Sequence, residues 1–358
     1  RVRLDRSSTR SGHIAHPWPF KNGNMNHTGF SPYTLGNVDL ASPSWVVHKP
    51  VMHNTPLIDI DSNVYLAHTS GEVVSLDKHG NKRWSFQPPN NGHHTGNPAM
   101  LDDSLYICGS QGIVYALELA TGRVRWETKV GRDCPSDAWV ATADGTTLIQ
   151  PGNTNTPSIG EGAIFALSTV DGTVKWTFDF GAKYKAAAYN MMPSIVDGSV
   201  VFQDCSGGVY RVSLETGKEQ WVVPGFRMTM TTGGMVTGPD GVVYSAANHK
   251  GNADQGKGVL RAIDLSTGNV LWSKKYEQGI NAAPAIGPLG PGGPLAVVIM
   301  VGDNFLPMGV PASMLLYMSA IPPPVHKGTA MAVDTKTGDP FWSYDVHPYK
   351  SWIYPQQK

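Results

Sequence analysis

The sequence is poor in the features that most often identify a protein's chemistry. Only 16% of its residues are charged, and 28 Lys and Arg balance 28 Asp and Glu. No net field therefore exists to draw nucleic acid or an anionic membrane surface, and both partners are excluded at this level. The longest apolar run, LAVVIMV at residues 295–301, is far short of the ~18–20 residues that cross a bilayer, so no transmembrane helix is expected. Cysteine is scarce. Cys108, Cys134 and Cys205 form an odd set without a C-x-x-C pair, which excludes a zinc cluster or redox pair and leaves two readings, one disulfide or three small buried hydrophobes. The sequence holds no GxSxG, no P-loop and no GxGxxG after a strand, so nucleophilic and nucleotide-handling chemistry has no anchor.

Glycine (40), proline (27) and tryptophan (10) are abundant instead, as in a turn-rich chain of short strands. Six glycines are each followed four positions later by tryptophan: Gly80 and Trp84, Gly122 and Trp126, Gly172 and Trp176, Gly217 and Trp221, Gly268 and Trp272, Gly338 and Trp342. An earlier Trp45 lacks the glycine, and successive tryptophans from it are 39, 42, 50, 45, 51 and 70 residues apart. This is the ~40–50-residue period of a propeller blade. In the second unit, NPAMLDD, SLYICGS, GIVYALEL and RVRWETKV read as four strands separated by turn residues. The glycine suits a hairpin that needs positive φ. The tryptophan suits a wedge between neighbouring blades, where the gap widens with distance from the axis. These seven tryptophans are expected to pack rather than to cage a ligand, as are Tyr65, Tyr106, Tyr115, Phe165, Phe202, Tyr210 and Tyr244.

Gly-x-x-x-Trp after an Ala-Leu-Asp-like strand resembles the repeat of quinoprotein-type (PQQ-like) propellers. That family is named for pyrroloquinoline quinone (PQQ) dehydrogenases and also includes non-enzymatic scaffolds. The stretch HPWPFKNGNMNHTGFSPYTLGNVDLASPSW resembles the N-terminal segment of those dehydrogenases. The resemblance implies an all-β protein, a single β-propeller domain of four-stranded blades over residues 1–358. Six units can be drawn, at 48–87, 88–129, 130–179, 180–225, 226–276 and 277–346. Trp45 then belongs to a seventh blade closed by the termini, with residues 1–44 as the closing segment; eight blades is the alternative count. Too few residues follow Trp342 to fill that blade, so truncation, or strands donated by a partner or a second copy, are also expected readings. The last unit carries an apolar insertion, residues 302–328, read either as packing across its own ring or as a partner surface.

Residues just before each unit's first strand are expected to line one mouth of the central channel: His53, Asn54, His93, His94, Asp137, Trp139, Asn190, Thr229 to Thr232 with Thr231 among them, and Asn281. The resemblance implies that a quinone could lie across this mouth. Asp137 and Asn190, with Asp133 and Asn281, would then be the oxygen donors for Ca²⁺, and Asp137 the base. The hallmarks of that chemistry are thin, since no adjacent cysteine pair is present and only Arg227 and Lys185 are available as basic cofactor contacts. His13, His16 and the His93–His94 pair lack a third metal ligand at a telling spacing.

The functional expectation is a non-catalytic, exported propeller that binds another protein and needs no cofactor. The alternative is a PQQ- and Ca²⁺-dependent dehydrogenase of alcohols or sugars, or a degenerate relative that binds a ligand at the mouth; glycan binding there is a third reading. Export is expected from the resemblance, from a first residue that is not Met, and from the Asn26-His27-Thr28 sequon.

Overall fold

In the computed structural model the described residues are 14–31, 42–47, 55–68, 71–89, 97–109, 111–134, 141–143, 145–154, 161–188, 191–227, 229–250, 256–302 and 325–350. They form six four-stranded antiparallel sheets, each a meander of consecutive strands. The first sheet contains β1 (Leu57–Ile58), β2 (Val64–Ala67), β3 (Val73–Leu76) and β4 (Lys82–Phe86). The second contains β5 (Ala99–Leu101), β6 (Ser104–Cys108), β7 (Ile113–Glu118) and β8 (Val124–Lys129). The third contains β9 (Ala141–Ala143), β10 (Thr147–Asn153), β11 (Gly162–Ser168) and β12 (Val174–Phe178), and is followed by the one-turn helix α1 (Phe180–Tyr184). The fourth contains β13 (Ser194–Val196), β14 (Ser199–Gln203), β15 (Val209–Ser213) and β16 (Glu219–Val223). The fifth contains β17 (Met235–Thr237), β18 (Val242–Lys250), β19 (Lys257–Asp264) and β20 (Val270–Lys275). The sixth contains β21 (Ala285–Pro288), β22 (Leu295–Gly302), β23 (Val325–Asp334) and β24 (Pro340–Lys350). The chain divides into two compact units, residues 1–202 with 211–220 and residues 203–210 with 221–358, and the division passes through the fourth sheet.

Each sheet falls within one of the six repeat units, except that β24 runs on to Lys350, past the 346 bound. The insertion of the last unit leaves β22 at Gly302, and β23 begins at Val325, so 325–328 is strand and residues 303–324 lie outside the described residues. Both faces of a middle strand are buried, which explains its continuous apolar runs. Leu105 and Ile107 of β6 pack with Leu57, Tyr65, Ala67, Val73 and Trp84 of the first sheet. Tyr106 and Cys108, pointing the other way, pack with Leu148, Ala163, Phe165 and Leu167 of the third. In the second unit, Val236, Tyr244, Leu260 and Ala262 pack with Val297, Ile299, Val301 and Val333 in the same manner.

The Gly-x-x-x-Trp spacing has a geometric cause that its own hairpin reveals only in part. All six glycines have positive φ, between 67° and 84°, as the turn requires. Each is also roofed by the preceding tryptophan of the series, which for the last five lies in the preceding sheet and for Gly80 is Trp45. A Cβ would stand 2.5 Å from the Trp84 ring at Gly122, 2.5 Å from Trp126 at Gly172, 2.6 Å from Trp176 at Gly217, and 2.9 Å from Trp45, Trp221 and Trp272 at Gly80, Gly268 and Gly338. The same indoles donate Nε1–H to a backbone carbonyl beside that turn: Lys78, Leu119, Thr169, Leu214, Leu265 and Thr335, at 2.9–3.1 Å. Across its own ladder the tryptophan faces a small residue, Ser75, Ala116, Ala166, Ala262 or Ala332, and the register shifts just beyond it. The shift bulges out the residue before the tryptophan. Three of these bulged residues are cations that fold back over the sheet: Arg83 to the Tyr65 hydroxyl, Arg125 to Asp103, and Lys175 to the Thr146 carbonyl.

Candidate functional site

In every sheet the segment entering the first strand lies at the same end as the connection between second and third strands, because adjacent strands run antiparallel. His53, Asn54, His93, His94, Asp137, Trp139 and Asn190 lie outside the described residues. Thr231 and Asn281 are described, and the structure brings them together within the second unit.

Their polar atoms are engaged with protein groups. Thr231, 1% exposed, receives Gly233 N–H on its hydroxyl at 2.9 Å and donates that hydroxyl to the Ile280 carbonyl at 3.1 Å, while its own N–H donates to Cys205 O at 2.8 Å. Thr232 donates its hydroxyl to the Asn281 carbonyl at 2.9 Å. Between the two segments stands Asn248, at the end of β18 and fully buried. It donates to Asn281 Oδ1 and to Met230 O, both at 3.0 Å, and accepts from Ile280 N–H at 3.0 Å. The sequence reading missed Asn248; its one signal was an amide following the apolar run of a second strand.

The first unit repeats this stapling with other chemistry. Asn97 Oδ1 accepts the Thr55 N–H at 3.1 Å, tying the segment before β5 to that before β1. Cys108 at the end of β6 forms a disulfide with Cys134, ahead of β9, and both are buried, so of the two readings that the sequence allows one disulfide is the one present. Cys205 is outside the disulfide. Asp133, the other calcium candidate, is described. Its carboxylate pairs with Arg132 at 2.7 Å and accepts from Asn153 Nδ2 at 2.7 Å. Lys185 caps α1 in a left-handed conformation, its N–H on Gly181 O. Among the described residues no three His, Cys, Asp or Glu side chains are grouped to hold a metal. Of the described candidates, Thr231, Thr232 and Asn281 tie the segments ahead of two consecutive sheets, whereas Asp133 and Lys185 are engaged locally.

One ionisable cluster outside the sequence-derived set is buried beside Thr231. Asp204 accepts from Ser206 N–H, Gly208 N–H and the Tyr210 hydroxyl, the last at 2.6 Å. Burial pushes its carboxyl above the usual carboxylate range. Arg261 lies with its guanidinium 5.0 Å from the Phe226 ring centroid and donates to Pro224 O, Gly207 O and Ser245 Oγ. Burial lowers it to about 10, against a smaller opposing pull from Asp204. These groups fix the turn after β14 and the loop before β17.

The N-terminal segment also enters this description. Trp18 exchanges backbone hydrogen bonds with Ile58 of β1, at 3.2 and 3.0 Å, and the Pro19 carbonyl accepts Met100 N–H of β5 at 2.9 Å. Phe20, 5% exposed, enters the core between the second and third sheets. His16, one of the metal candidates, accepts Ile60 N–H on Nδ1 at 3.2 Å and reaches the Asp102 carbonyl with Nε2 at 2.7 Å, an arrangement that defines the Nε2–H tautomer. Asn26, in the sequon, sits in the turn before His27 with its N–H on Asn24 Oδ1.

Four-stranded sheets chained by tryptophan over glycine define a PQQ-like β-propeller. Comparison with known proteins gives the family. A family profile described as "Outer membrane protein assembly factor BamB" matches residues 41–222 and 207–351, and the chain belongs to that family. The BamB of Yersinia pestis is 26% identical over 235 residues, 60% of this chain and 54% of that protein. The glycerol dehydrogenase large subunit of Gluconobacter oxydans is 26% identical over 271 residues, 72% of this chain and 33% of that protein. The crystal structure of BamB from Moraxella catarrhalis superposes with a TM-score of 0.52 at 18% identity, covering 79% of this chain and 70% of that one, and shares the fold. The chain spans about half the length of the BamB relatives it matches.

Proposed function

We propose that the chain is a non-catalytic, exported propeller that acts through binding another protein in the assembly of outer-membrane proteins. The observation that carries this reading is the BamB family match, which runs through all six sheets. The segments ahead of β17 and β21 support it, since Asn248 bonds to Asn281 and to the Ile280 N–H while Thr231 bonds to backbone groups. The Cys108–Cys134 disulfide supports an oxidising, extracytoplasmic compartment. The reading needs no cofactor. Complementation tests it: secretion of this chain into the periplasm of a bacterium lacking its own BamB should restore outer-membrane protein levels. Unchanged levels at matched expression of folded protein would overturn it. Static light scattering separates a heterologous partner, which leaves the purified chain monomeric, from a second copy docking through an open blade or the 302–328 loop.

The dehydrogenase reading draws on the match to the glycerol dehydrogenase subunit. Under it, PQQ with Ca²⁺ raises the melting temperature and gives dye-linked oxidation of alcohols or aldoses. Under the scaffold reading neither occurs.

A further inference from the structure

Each tryptophan of the series from Trp45 to Trp272 has a glycine turn in front of it, and Trp342 in β24 has none among the described residues. On its own sheet Trp342 is set like the others: it faces Ala332 across the ladder, and the register shifts just beyond that pair. Its ring is nevertheless 42% exposed, against 8% for Trp84. The six earlier indoles each donate Nε1–H to a turn carbonyl. The Trp342 indole has no such acceptor among the described residues.

The open ring belongs to an open face. In the fifth sheet Leu260 pairs with Ala246 across one ladder and with Lys274 across the other. In the sixth, Ala330 pairs with Met300 and Tyr344 in the same positions. Met300, Tyr344 and Trp342 therefore share one face, since residues two apart on a strand point the same way. The fifth sheet buries the equivalent face against the sixth: Ala246, Leu260 and Ala262 are fully buried there, and Lys274 reaches Asp339 in the next turn at 2.8 Å. On the sixth sheet Met300 and Tyr344 are exposed, by 46% and 59%. Met, Trp and Tyr grouped on one exposed face have the composition of an interface core.

We propose that this face docks a β-hairpin of another protein, one whose turn carries a glycine at positive φ, laid under Trp342 as the chain's own turns are laid under the earlier tryptophans. The inference rests on the reading of the chain as a protein-binding propeller and names the surface that the partner meets. The five contacts from Trp84 to Gly338 state what the hairpin must offer. Its acceptor is the carbonyl three residues ahead of the glycine, as Leu119 is for Gly122, Thr169 for Gly172, Leu214 for Gly217, Leu265 for Gly268 and Thr335 for Gly338. A Cβ at the glycine would stand 2.5–2.9 Å from the ring, so no other residue fits there. Tyr344 takes the place of Lys274 beside the turn. A second copy of this chain does not supply such a turn, because each of its six repeat glycines already lies under an indole.

NMR on the whole, isotope-labelled chain tests the face. The probe is an unlabelled, cyclised hairpin peptide of residues 112–129, whose turn holds Gly122 and the Leu119 carbonyl, added up to about 1 mM. The Trp342 Nε1–H resonance, identified by its loss in Trp342→Phe, should shift saturably while those of Trp84 and Trp126 stay in place. The Gly122→Ala peptide should bind roughly tenfold more weakly or worse, because its methyl is driven into the ring. Absence of a saturable shift, equal binding of the Gly122→Ala peptide, or equal movement of the Trp84 and Trp126 resonances overturns the proposal. So does a Trp342 resonance that moves on dilution of the chain alone, which assigns the face to a second copy, or one already protected from water in the free chain, which assigns it to the chain itself. Failed docking by a chain that restores outer-membrane protein levels sinks this face alone. Successful docking by a chain that restores nothing sinks the assembly reading alone.

Discussion

The Trp84 indole occupies the space in front of Gly122 in the next sheet, where a Cβ would stand 2.5 Å from the ring, and its Nε1–H donates to the Leu119 carbonyl at 2.9 Å. A glycine and a tryptophan four apart in sequence therefore do not serve each other. Each serves the neighbour on one side, and the repeat is a chain of such handovers from Trp45 to Gly338.

Gly122→Ala should consequently cost more than a hairpin glycine alone. A non-glycine residue at φ 73° and a methyl driven into Trp84 together amount to about 2–4 kcal/mol. The midpoint of urea unfolding measures it. Gly198 and Gly241, also at positive φ but with nothing within 4 Å of a Cβ, should show only the conformational part.

Trp126→Phe keeps most of the apolar area but removes the Nε1–H that satisfies Thr169 O at 3.0 Å. A loss of about 1–3 kcal/mol is expected from the shrunken ring and the unsatisfied carbonyl. Double-mutant analysis with Gly172→Ala should be strongly non-additive, because Trp126 is the ring that Gly172 accommodates.

The Cys108–Cys134 bridge closes a loop with a sequence separation of 26. Cys108→Ala combined with Cys134→Ala should lower stability by about 2–4 kcal/mol, read from melting temperatures with and without reductant. Thiol titration of the unfolded, unreduced chain should give a single reactive group, Cys205.

Asn248→Ala leaves Ile280 N–H and Met230 O without their partner in a buried position. About 1–3 kcal/mol should be lost, and exchange of the Ile280 amide should accelerate first. A variant losing nothing would show that the two segments are held by packing alone.

Asp264, in the turn before Gly268, accepts from the hydroxyls of Ser266 and Thr267 and from Thr267 N–H. These bonds hold its carboxylate down to about 2. A depressed carboxylate stabilises the fold above its ordinary value near 3.8, and that contribution disappears as pH falls toward 2. Carbon-detected NMR of the side chain should locate the titration there, and Thr267→Val should raise it.

The sequence alone determined the sheets, because the glycine turn, the bulge and the tryptophan are local devices whose spacing survives any insertion elsewhere. Even the small residue opposite each tryptophan was visible, in the alanines of VYALELATGRVRW and IFALSTVDGTVKW, although its purpose was not. Thr231 and Asn281 were legible as polar residues ahead of first strands, since that position depends only on where the strands begin. Their pairing through Asn248, the choice of Cys108 and Cys134 over Cys205, and the course of the N-terminal segment past Ile58, Met100 and Pro193 were settled only by tertiary structure. Those contacts join residues 18 to 166 positions apart, and hydrogen bonds and disulfides depend on distances of a few ångströms that no local period encodes.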